Sequence, residues 1–420
     1  MGNSPVVTFR TLGCKLNQAE AELLAERFAV AGYRITDGDS ADICILNTCT
    51  VTHVADRKSR HILRLLRKRN PTAFIIATGC YAERSRQELA RIGVDLVVGN
   101  EQKMDLLNLV ERSFTLRSDR SAVEHVRGVS RVRSFVRIQD GCDDFCSYCI
   151  VPMVRGREFC LPVPEIVDVV KSKVAAGYKE VILTGTKIGA YNYDGFCLMH
   201  LVQQILEEAG IQRLHLSSLQ PQEISENLIR LWLDPRLSRH FHLALQSGSD
   251  AVLKRMRRRY SPDDYRKAVS LIRHVVPDAA ITTDVMAGFP GESDEEFEES
   301  YSFCRDMNFA DFHVFSYSAR PGTSAAGMSG QIGDRIKKER SQRMLSLADE
   351  SALSFRRRFL GRVMMVLWEN EVEPGSGLYS GLNDNYIRVF ARSSKSLTNL
   401  LLPVRLVGLH EQGLWGEIVT

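Results

Sequence analysis

Short apolar runs alternate with helix-period stretches from the start of the chain to Arg112. The predicted strands are Val6–Leu12, Asp42–Leu46, Phe74–Thr78 and Asp95–Val98. The predicted helices are Glu20–Ala31, Val54–Arg69, a helix ending near Ile92, and Met104–Arg112. Repeated strand–helix units favour a parallel sheet, because the crossover helices pack on both of its faces. The pattern therefore predicts an α/β protein that begins with a doubly wound parallel domain.

A second strand–helix series follows the polar stretch Ser113–Arg131, which lacks apolar periodicity and reads as a linker. Its predicted strands are Ser134–Gln139, Glu180–Leu183, Arg213–Leu216, His240–Leu245, Ala280–Met286 and Asp311–Phe315. Its predicted helices are Val163–Ala176, Leu198–Glu208, Glu223–Leu233, Pro262–Val275 and Asp294–Met307. Six strands with helical crossovers predict a partial (β/α)6 barrel of the TIM type, since a full eight-stranded barrel needs more chain.

The apolar period changes to two after Gly361, behind a charged helix predicted at Arg335–Arg358. The predicted strands are Arg362–Glu369, Leu378–Ser380, Tyr386–Ala391, Leu401–Leu406 and Leu414–Val419. Short strands separated by Gly, Asn, Asp and Ser favour a small β-barrel. The predicted domains are residues 1–125, 126–355 and 356–420.

Composition narrows the class of protein. The 420 residues are 44% apolar and 25% charged, as in globular proteins, and the net charge of +4 says little about partners. No apolar run approaches the length of a membrane span, and Met1–Val7 does not resemble a signal peptide. We expect a cytoplasmic protein with no membrane association. In that compartment its ten cysteines favour metal or redox sites over disulfides.

Three of these cysteines, Cys142, Cys146 and Cys149, have the spacing C-x3-C-x2-C directly after the first barrel strand. Three thiolates so close in sequence suit a 4Fe-4S cluster in which one iron has no protein ligand. A structural zinc site with Cys160 as fourth ligand is an alternative, because zinc usually takes four protein ligands. A second alternative is that these three cysteines are unrelated residues buried in the core.

A second set consists of Cys14, Cys49 and Cys80. These cysteines are far apart in the sequence, but they have the same location relative to the predicted strands. Each follows a predicted strand of the same parallel sheet. Because the carboxyl ends of parallel strands meet at one edge, the three thiols are expected to converge, in a geometry that again suits a cluster. Three buried structural cysteines are the alternative. Cys44 lies inside its strand and is predicted to be core.

The central motif, with an aromatic residue before its last cysteine, resembles that of the radical S-adenosylmethionine superfamily. The resemblance implies that the open iron binds S-adenosylmethionine and that the reduced cluster cleaves it to a 5′-deoxyadenosyl radical. The positions implied to hold this cosubstrate are Tyr148, Thr184, Gly185, Ser218, Gln246, Asp284 and Gly288. Each of these positions is weak evidence for a cosubstrate site by itself, since a glycine at a strand end more often marks a turn.

The segments Gly13–Gln18, Asn47–Thr52 and Thr78–Cys80 resemble the three cysteine motifs of the methylthiotransferase family, whose domain order ends in a TRAM-type β-barrel. The resemblance implies that Cys14, Cys49 and Cys80 hold a second 4Fe-4S cluster, which carries sulfur. One S-adenosylmethionine would supply the methyl group and another the radical.

The sequence Gly-Cys-Lys-Leu-Asn is similar to the branch that methylthiolates N6-threonylcarbamoyladenosine at C2 in the tRNA anticodon stem-loop. The implied partners are tRNA and an electron donor such as flavodoxin or ferredoxin, with a monomer favoured. Gln220 departs from the pattern, which has an acidic residue there. Modification of an isopentenyladenosine, modification of a ribosomal protein, and a non-catalytic iron–sulfur RNA sensor stay open.

Basic and aromatic residues indicate where RNA could bind. Arg57, Arg60, Arg64 and Arg67 recur at helical spacing, and further basic runs cover Lys254–Arg259 and Arg356–Arg358. Candidates in the C-terminal barrel are Trp368, Tyr379, Tyr386, Arg388 and Trp415. Solvated helix faces and core aromatics are the alternatives.

Overall fold

The computed structural model describes residues 4–38, 40–113 and 132–419. They form three units in the predicted chain order. Most of the predicted linker lies outside the described residues. The predicted boundary at 355/356 falls inside a helix that continues to Arg357, and both domain boundaries stay predictions.

The first unit is a five-stranded parallel sheet in the order β2-β1-β3-β4-β5. Its strands are β1 Val6–Thr11, β2 Arg34–Thr36, β3 Ile43–Thr48, β4 Phe74–Gly79 and β5 Leu96–Val98. Its helices are α1 Lys15–Val30, α2 His53–Arg69, α3 Cys80–Arg84, α4 Arg86–Arg91 and α5 Leu106–Ser113, with a 3-10 turn at Lys103–Asp105. The doubly wound prediction is confirmed. The edge strand β2 was not predicted, since three residues carry too little period to detect.

Burial explains the apolar pattern of this sheet. All six residues of β3 are buried because helices cover both faces of a central strand. The helix α2 begins at Thr52, whose hydroxyl accepts a hydrogen bond from the Ala55 N–H at 3.1 Å. Because β1, β3 and β4 are parallel, their carboxyl ends lie at the same edge of the sheet. The helices that follow these strands begin at that edge.

The second unit is a partial barrel of six parallel strands, as predicted. Its strands are β6 Arg133–Arg137, β9 Glu180–Thr184, a third strand split into β12 Arg213–Leu216 and β13 Ser218–Leu219, β14 His240–Leu243, β15 Ala280–Ala287 and β16 Asp311–Ser316. The split at Ser217 lets β12 pair with β9 and β13 pair with β14. Two short antiparallel pairs are added to the barrel: β7 Gln139–Asp140 with β8 Phe159–Cys160, and β10 Asn192–Tyr193 with β11 Phe196–Cys197.

This unit contains the helices that connect its strands. They are α6 Val151–Arg155, α7 Val163–Ala175, α8 Leu198–Glu208, α9 Glu226–Arg230, α10 Asp250–Arg255, α11 Pro262–Val275 and α12 Asp294–Met307. The 3-10 turns are Ile188–Ala190, Pro221–Glu223, Leu231–Leu233 and Ser324–Gly327. Buried side chains of strands and helices form one continuous core.

The long helix α13, Asp334–Arg357, packs on β16 and leads into the third unit. This unit is a closed barrel in the order β17-β18-β19-β21-β20. Its strands are β17 Val363–Glu371, β18 Leu378–Asn383, β19 Arg388–Arg392, β20 Leu401–His410 and β21 Gly413–Ile418. The predicted β-barrel is confirmed. None of the described helices is both long enough and apolar enough to span a membrane.

Two of the aromatic residues considered for RNA contact lie in the core of this barrel. Trp368 is fully buried and Tyr379 is nearly so. Tyr386 instead points to the partial barrel, where its hydroxyl donates to the Glu180 carboxylate. Trp368 and Tyr379 are therefore core residues, and the prediction that they contact RNA is wrong, whereas Tyr386 is only partly buried and lines a cavity of the barrel.

Candidate active site

The central triad, Cys142, Cys146 and Cys149, occupies the loop after β7, at the carboxyl end of the first barrel strand. The loop starts tightly. Gly141 has φ +69°, and a Cβ there would lie 1.9 Å from the Arg157 carbonyl oxygen. Glycine is therefore required for the chain to turn into the loop.

Protein N–H groups point at two of these sulfurs. The Asp144 amide donates to Cys142 Sγ at 3.4 Å, and the Arg258 guanidinium donates to Cys146 Sγ at 3.4 Å. Burial raises the pKa of the Cys149 thiol to about 12. Without a metal, this thiol therefore keeps its proton at neutral pH. Metal binding would release that proton. Three adjacent sulfurs with N–H donors fit an iron–sulfur cluster.

Tyr148 lies beside this loop and joins it to the fifth barrel strand. Its ring packs edge-on against Phe289, with centroids 6.4 Å apart. The preceding Gly288 has φ +75°, donates its N–H to Glu292 and lies against α13. The structure therefore brings Tyr148 and the Gly288 loop together.

Four of the predicted cosubstrate residues, Thr184, Gly185, Ser218 and Asp284, line one cavity of about 900 Å³. Gln246 is not part of that lining. It has φ +70° and joins β15 through backbone hydrogen bonds to Asp284 and from Met286. Gly288 is also outside the lining.

Asp284 has two histidine partners inside the cavity. His242 Nε2 lies 3.4 Å and His313 Nδ1 3.2 Å from its carboxylate oxygens. Burial alone would raise the pKa of Asp284, but the hydrogen bonds from both histidines hold it well below the usual range. Sequence reasoning missed the histidines. Their alternation with apolar residues in His240–Leu243 was the available signal.

A carboxylate does lie near the position where Gln220 departs from the family pattern. Glu223 accepts the Gln220 N–H at 2.8 Å, and its other oxygen is 3.9 Å from the Lys187 ammonium. Lys187 also pairs with Asp144 at 2.7 Å, inside the central loop. Burial raises the pKa of Glu223 to about 7. The acidic group at this strand end thus comes three residues later than expected.

The assembled triad, Cys14, Cys49 and Cys80, lies where β1, β3 and β4 end. A Cβ on Gly13 would be 2.9 Å from Cys49 Cβ and 3.2 Å from its Sγ, so two of the three chain segments touch here. Burial, together with the neighbouring thiols of Cys80 and Cys14, raises the pKa of Cys49 to about 11. The structure brings the three cysteines together as predicted. Cys44 is fully buried inside β3, so its assignment as core is confirmed.

The helix α6 connects the two triads. It follows Cys149 after one residue, and its Val154 packs with Ile150 against Cys80. The Asn100 amide donates to the Val154 carbonyl at 2.6 Å and lies 3.7 Å from Cys80 Sγ. One short segment therefore borders both sets of thiols.

A buried ionic cluster fixes the end of that segment. Arg155 pairs with Glu20 at 3.0 Å and Asp140 at 2.9 Å, and it donates to Asn17 at 2.5 Å. Glu20 also pairs with the fully buried Lys103 at 2.6 Å. Burial opposes the charge on Glu20, yet Lys103 and Arg155 lower its pKa to about 2. This cluster joins the first domain to the barrel, and sequence reasoning did not find it.

Lys15 follows Cys14 and lines the same cavity as Asp284. Burial lowers its pKa to about 8, the direction expected for an ammonium removed from water. Lys15 thus contributes a half-buried ammonium to the cavity wall that also contains Cys14.

The predicted basic face of α2 needs correction. Arg60 pairs with Glu88 at 3.0 Å, and Arg67 pairs with Asp95, so both are used inside the domain. Arg57 and Arg64 are exposed, and further exposed basic residues on this helix are Lys58, His61 and Lys68. The run Lys254–Arg259 is also partly structural, because Arg258 reaches Cys146 and Arg255 pairs with Glu296.

Comparisons with known proteins match this organisation. Residues 6–99 match the model of a family described as uncharacterized protein family UPF0004, and residues 136–304 match the radical SAM superfamily. A Bacillus subtilis (strain 168) protein named threonylcarbamoyladenosine tRNA methylthiotransferase MtaB is 33% identical, over 96% of this chain and 93% of the relative. An Aquifex aeolicus (strain VF5) protein of the same name is 36% identical, over 94% and 98%.

Relatives with another named substrate also match. An Endomicrobium trichonymphae protein named tRNA-2-methylthio-N(6)-dimethylallyladenosine synthase is 30% identical, over 97% of this chain and 99% of the relative. Among solved structures, the radical S-adenosylmethionine methyltransferase TsrM from Kitasatospora setae superposes with a TM-score of 0.57, at 15% identity over 77% of each chain. That likeness shows a shared fold.

Proposed function

The chain belongs to the radical S-adenosylmethionine methylthiotransferase family, and we propose that its substrate is N6-threonylcarbamoyladenosine in a tRNA anticodon stem-loop. The product is the 2-methylthio derivative. One observation carries the proposal: two converged cysteine triads are joined by α6, and Cys14 lies in the same cavity as the strand-end residues Thr184 and Asp284. Relatives named for this substrate support its choice.

Each triad would hold one 4Fe-4S cluster through three thiolates, leaving one iron without a protein ligand. When bound, the two clusters and S-adenosylmethionine supply the one-electron chemistry, the sulfur and the methyl group that replace hydrogen at C2. The Arg258 and Asp144 N–H groups, which donate to the central sulfurs, would favour the more negative, reduced form of a cluster held there.

Side chains at the strand ends would position S-adenosylmethionine. We assign this role to Thr184, Gly185, Ser218 and Asp284 in the cavity wall, and to Tyr148, Gln246 and Gly288 in the loops behind it. Asp284 is already hydrogen-bonded to two histidines, so it stays ionised.

Partners follow from the reaction. The exposed basic residues of α2 offer phosphate contacts for tRNA. A one-electron donor of the flavodoxin or ferredoxin type would reduce the central cluster. We place the enzyme in the cytoplasm with its tRNA substrate and propose that it acts as a monomer.

The experiment presents the reduced, cluster-loaded protein and S-adenosylmethionine with two anticodon stem-loops, one carrying threonylcarbamoyladenosine and one isopentenyladenosine. Mass spectrometry of the nucleosides measures methylthio products, and 5′-deoxyadenosine is measured in parallel. We expect product from the first stem-loop only. Product from the second alone would reassign the substrate to that of the dimethylallyladenosine relatives. Absence of 5′-deoxyadenosine would indicate an iron–sulfur RNA sensor instead of an enzyme.

A further inference from the structure

Among the described residues of the cavity lining, the Lys15 ammonium has neither an ion-pair partner nor a hydrogen-bond acceptor. The Lys15 ammonium lies 6.0 Å from the centroid of the Tyr386 ring. Among the residues that the structure describes, no carboxylate oxygen lies within 4 Å of this ammonium. Removing an unpaired charge from water is costly, so an anionic ligand at this place would bind favourably.

The other cations of the cavity wall already have partners. Arg133 and Arg388 both pair with Glu369, and Arg356 donates to the carbonyls of Ala352 and Glu411. Lys15 differs from them because its donors have no acceptor within the described cavity lining.

The acidic side chain whose charge acts on Lys15 already has other partners. Glu180 is fully buried, accepts the Tyr386 hydroxyl and lies 3.5 Å from the Arg213 guanidinium. Its charge acts on Lys15 only through space. The ammonium is thus held near the cavity by its own backbone position, directly after Cys14, and not by an ion pair.

We propose that Lys15 binds the carboxylate of the threonyl group on the substrate base. This inference rests on the proposed function. In adenine, only N1 and C6 separate C2 from the nitrogen that carries the substituent. A base with C2 directed to the assembled triad therefore brings its substituent to the residue beside Cys14.

Recognition of this kind would also exclude the wrong base. An isopentenyl group is an uncharged hydrocarbon, and it would leave the half-buried ammonium unpaired. Sites built to pair a polar group discriminate strongly against analogues that lack it. Lys15 would therefore act as a specificity-determining residue that contacts the substrate.

The experiment uses two anticodon stem-loops that differ only in the threonyl group, as free carboxylate or as carboxamide. Their binding to the cluster-loaded protein is measured by fluorescence anisotropy at one salt concentration. We expect the wild type to bind the carboxylate form ~10-fold more tightly, as for a hydrogen bond between charged groups. Lys15→Met should bind both forms alike, and Lys15→Arg should keep the preference.

Lys58→Met is the matched control, because Lys58 is exposed on α2 and should weaken both stem-loops equally. Iron content reports whether Lys15→Met is folded, and Lys15→Gln replaces it if iron is lost. A wild type without preference, or a Lys15→Met protein that keeps it, overturns the carboxylate site. Because this readout is binding, it is separate from failure of methylthio transfer, which contradicts the proposed function instead.

Discussion

The central triad occupies one loop, Cys142–Cys149, whereas the assembled triad takes one cysteine from each of three strand ends more than 30 residues apart. The loop is positioned by contacts close to the cysteines, such as Gly141 against Arg157. The assembled triad depends on the register of β1, β3 and β4 and on a buried ionic cluster that reaches across to α6. A site made of one loop needs a local fold, and an assembled site needs the whole domain.

The largest effect should come from removing each triad in turn. Cys14→Ala, Cys49→Ala and Cys80→Ala together should leave about half the iron, since each triad is proposed to hold one cluster of the same type. Cleavage of S-adenosylmethionine should survive, and methylthio transfer should be lost. Iron analysis and product mass spectrometry make both measurements.

The matched control replaces Cys142, Cys146 and Cys149 by Ala. It should also retain about half the iron, but it should form no 5′-deoxyadenosine. Loss of all iron in either triple variant would show that the triads do not hold independent clusters.

A smaller effect is expected from a residue that supports only the assembled triad. Glu20→Gln leaves Lys103 and Arg155 buried without their shared carboxylate. We expect the free energy of unfolding to fall by ~3 kcal/mol, as for a broken buried ion pair. The pKa of Glu20 is lowered to about 2, so its stabilisation is present above the unfolded pKa of about 4.3 and is lost only as pH falls towards 2. Urea denaturation at neutral pH therefore measures it in full.

The same variant should lose iron from the assembled triad while 5′-deoxyadenosine formation continues. Asp250→Asn is the control, because it breaks the exposed pair with Lys254 and should cost less than ~1 kcal/mol. Equal loss of both clusters in Glu20→Gln would mean that the two sites share their support.

The smallest effect concerns the helix behind Cys49. Arg64 is exposed on α2, whereas Arg67 pairs with Asp95 and donates to the Ala73 carbonyl at 2.8 Å. Arg64→Gln should lower the salt dependence of tRNA binding by about 1 per lost phosphate contact. Arg67→Gln should instead lower stability and leave the salt slope unchanged. Identical slopes in wild type and Arg64→Gln would show that this face contacts only solvent.

The fold was predictable because the apolar residues of most elements repeat with a clear helix or strand period, and most elements are long. Strand–helix alternation and the change to period two after Gly361 located all three units. Both triads were also predictable, one from its spacing and the other from the rule that parallel strands end at one edge. The edge strand β2 and the split of the third barrel strand at Ser217 carry no such signal.

Pairings between distant residues were not predictable. Arg155 lies 135 residues from Glu20, and His313 lies 29 residues from Asp284, so neither pair leaves a pattern along the chain. Some of the residues predicted to contact RNA were wrong for a related reason. Composition cannot tell a core aromatic such as Trp368 from an exposed one, nor the paired Arg67 from the free-standing Arg64.

The position of α6 has a consequence for recombining domains. Its residues belong to the barrel by sequence, but Val154 and Arg155 complete the first domain by packing on Cys80 and pairing with Glu20. A chimera joined at the linker would therefore separate residues that work as one unit. Inserting one residue between Cys149 and Arg155 would turn Arg155 by roughly 100° about the helix axis, away from Glu20. A chimera should therefore transfer the first domain together with α6. The number of residues between Cys149 and Arg155 must stay unchanged, because it sets the direction in which Arg155 points.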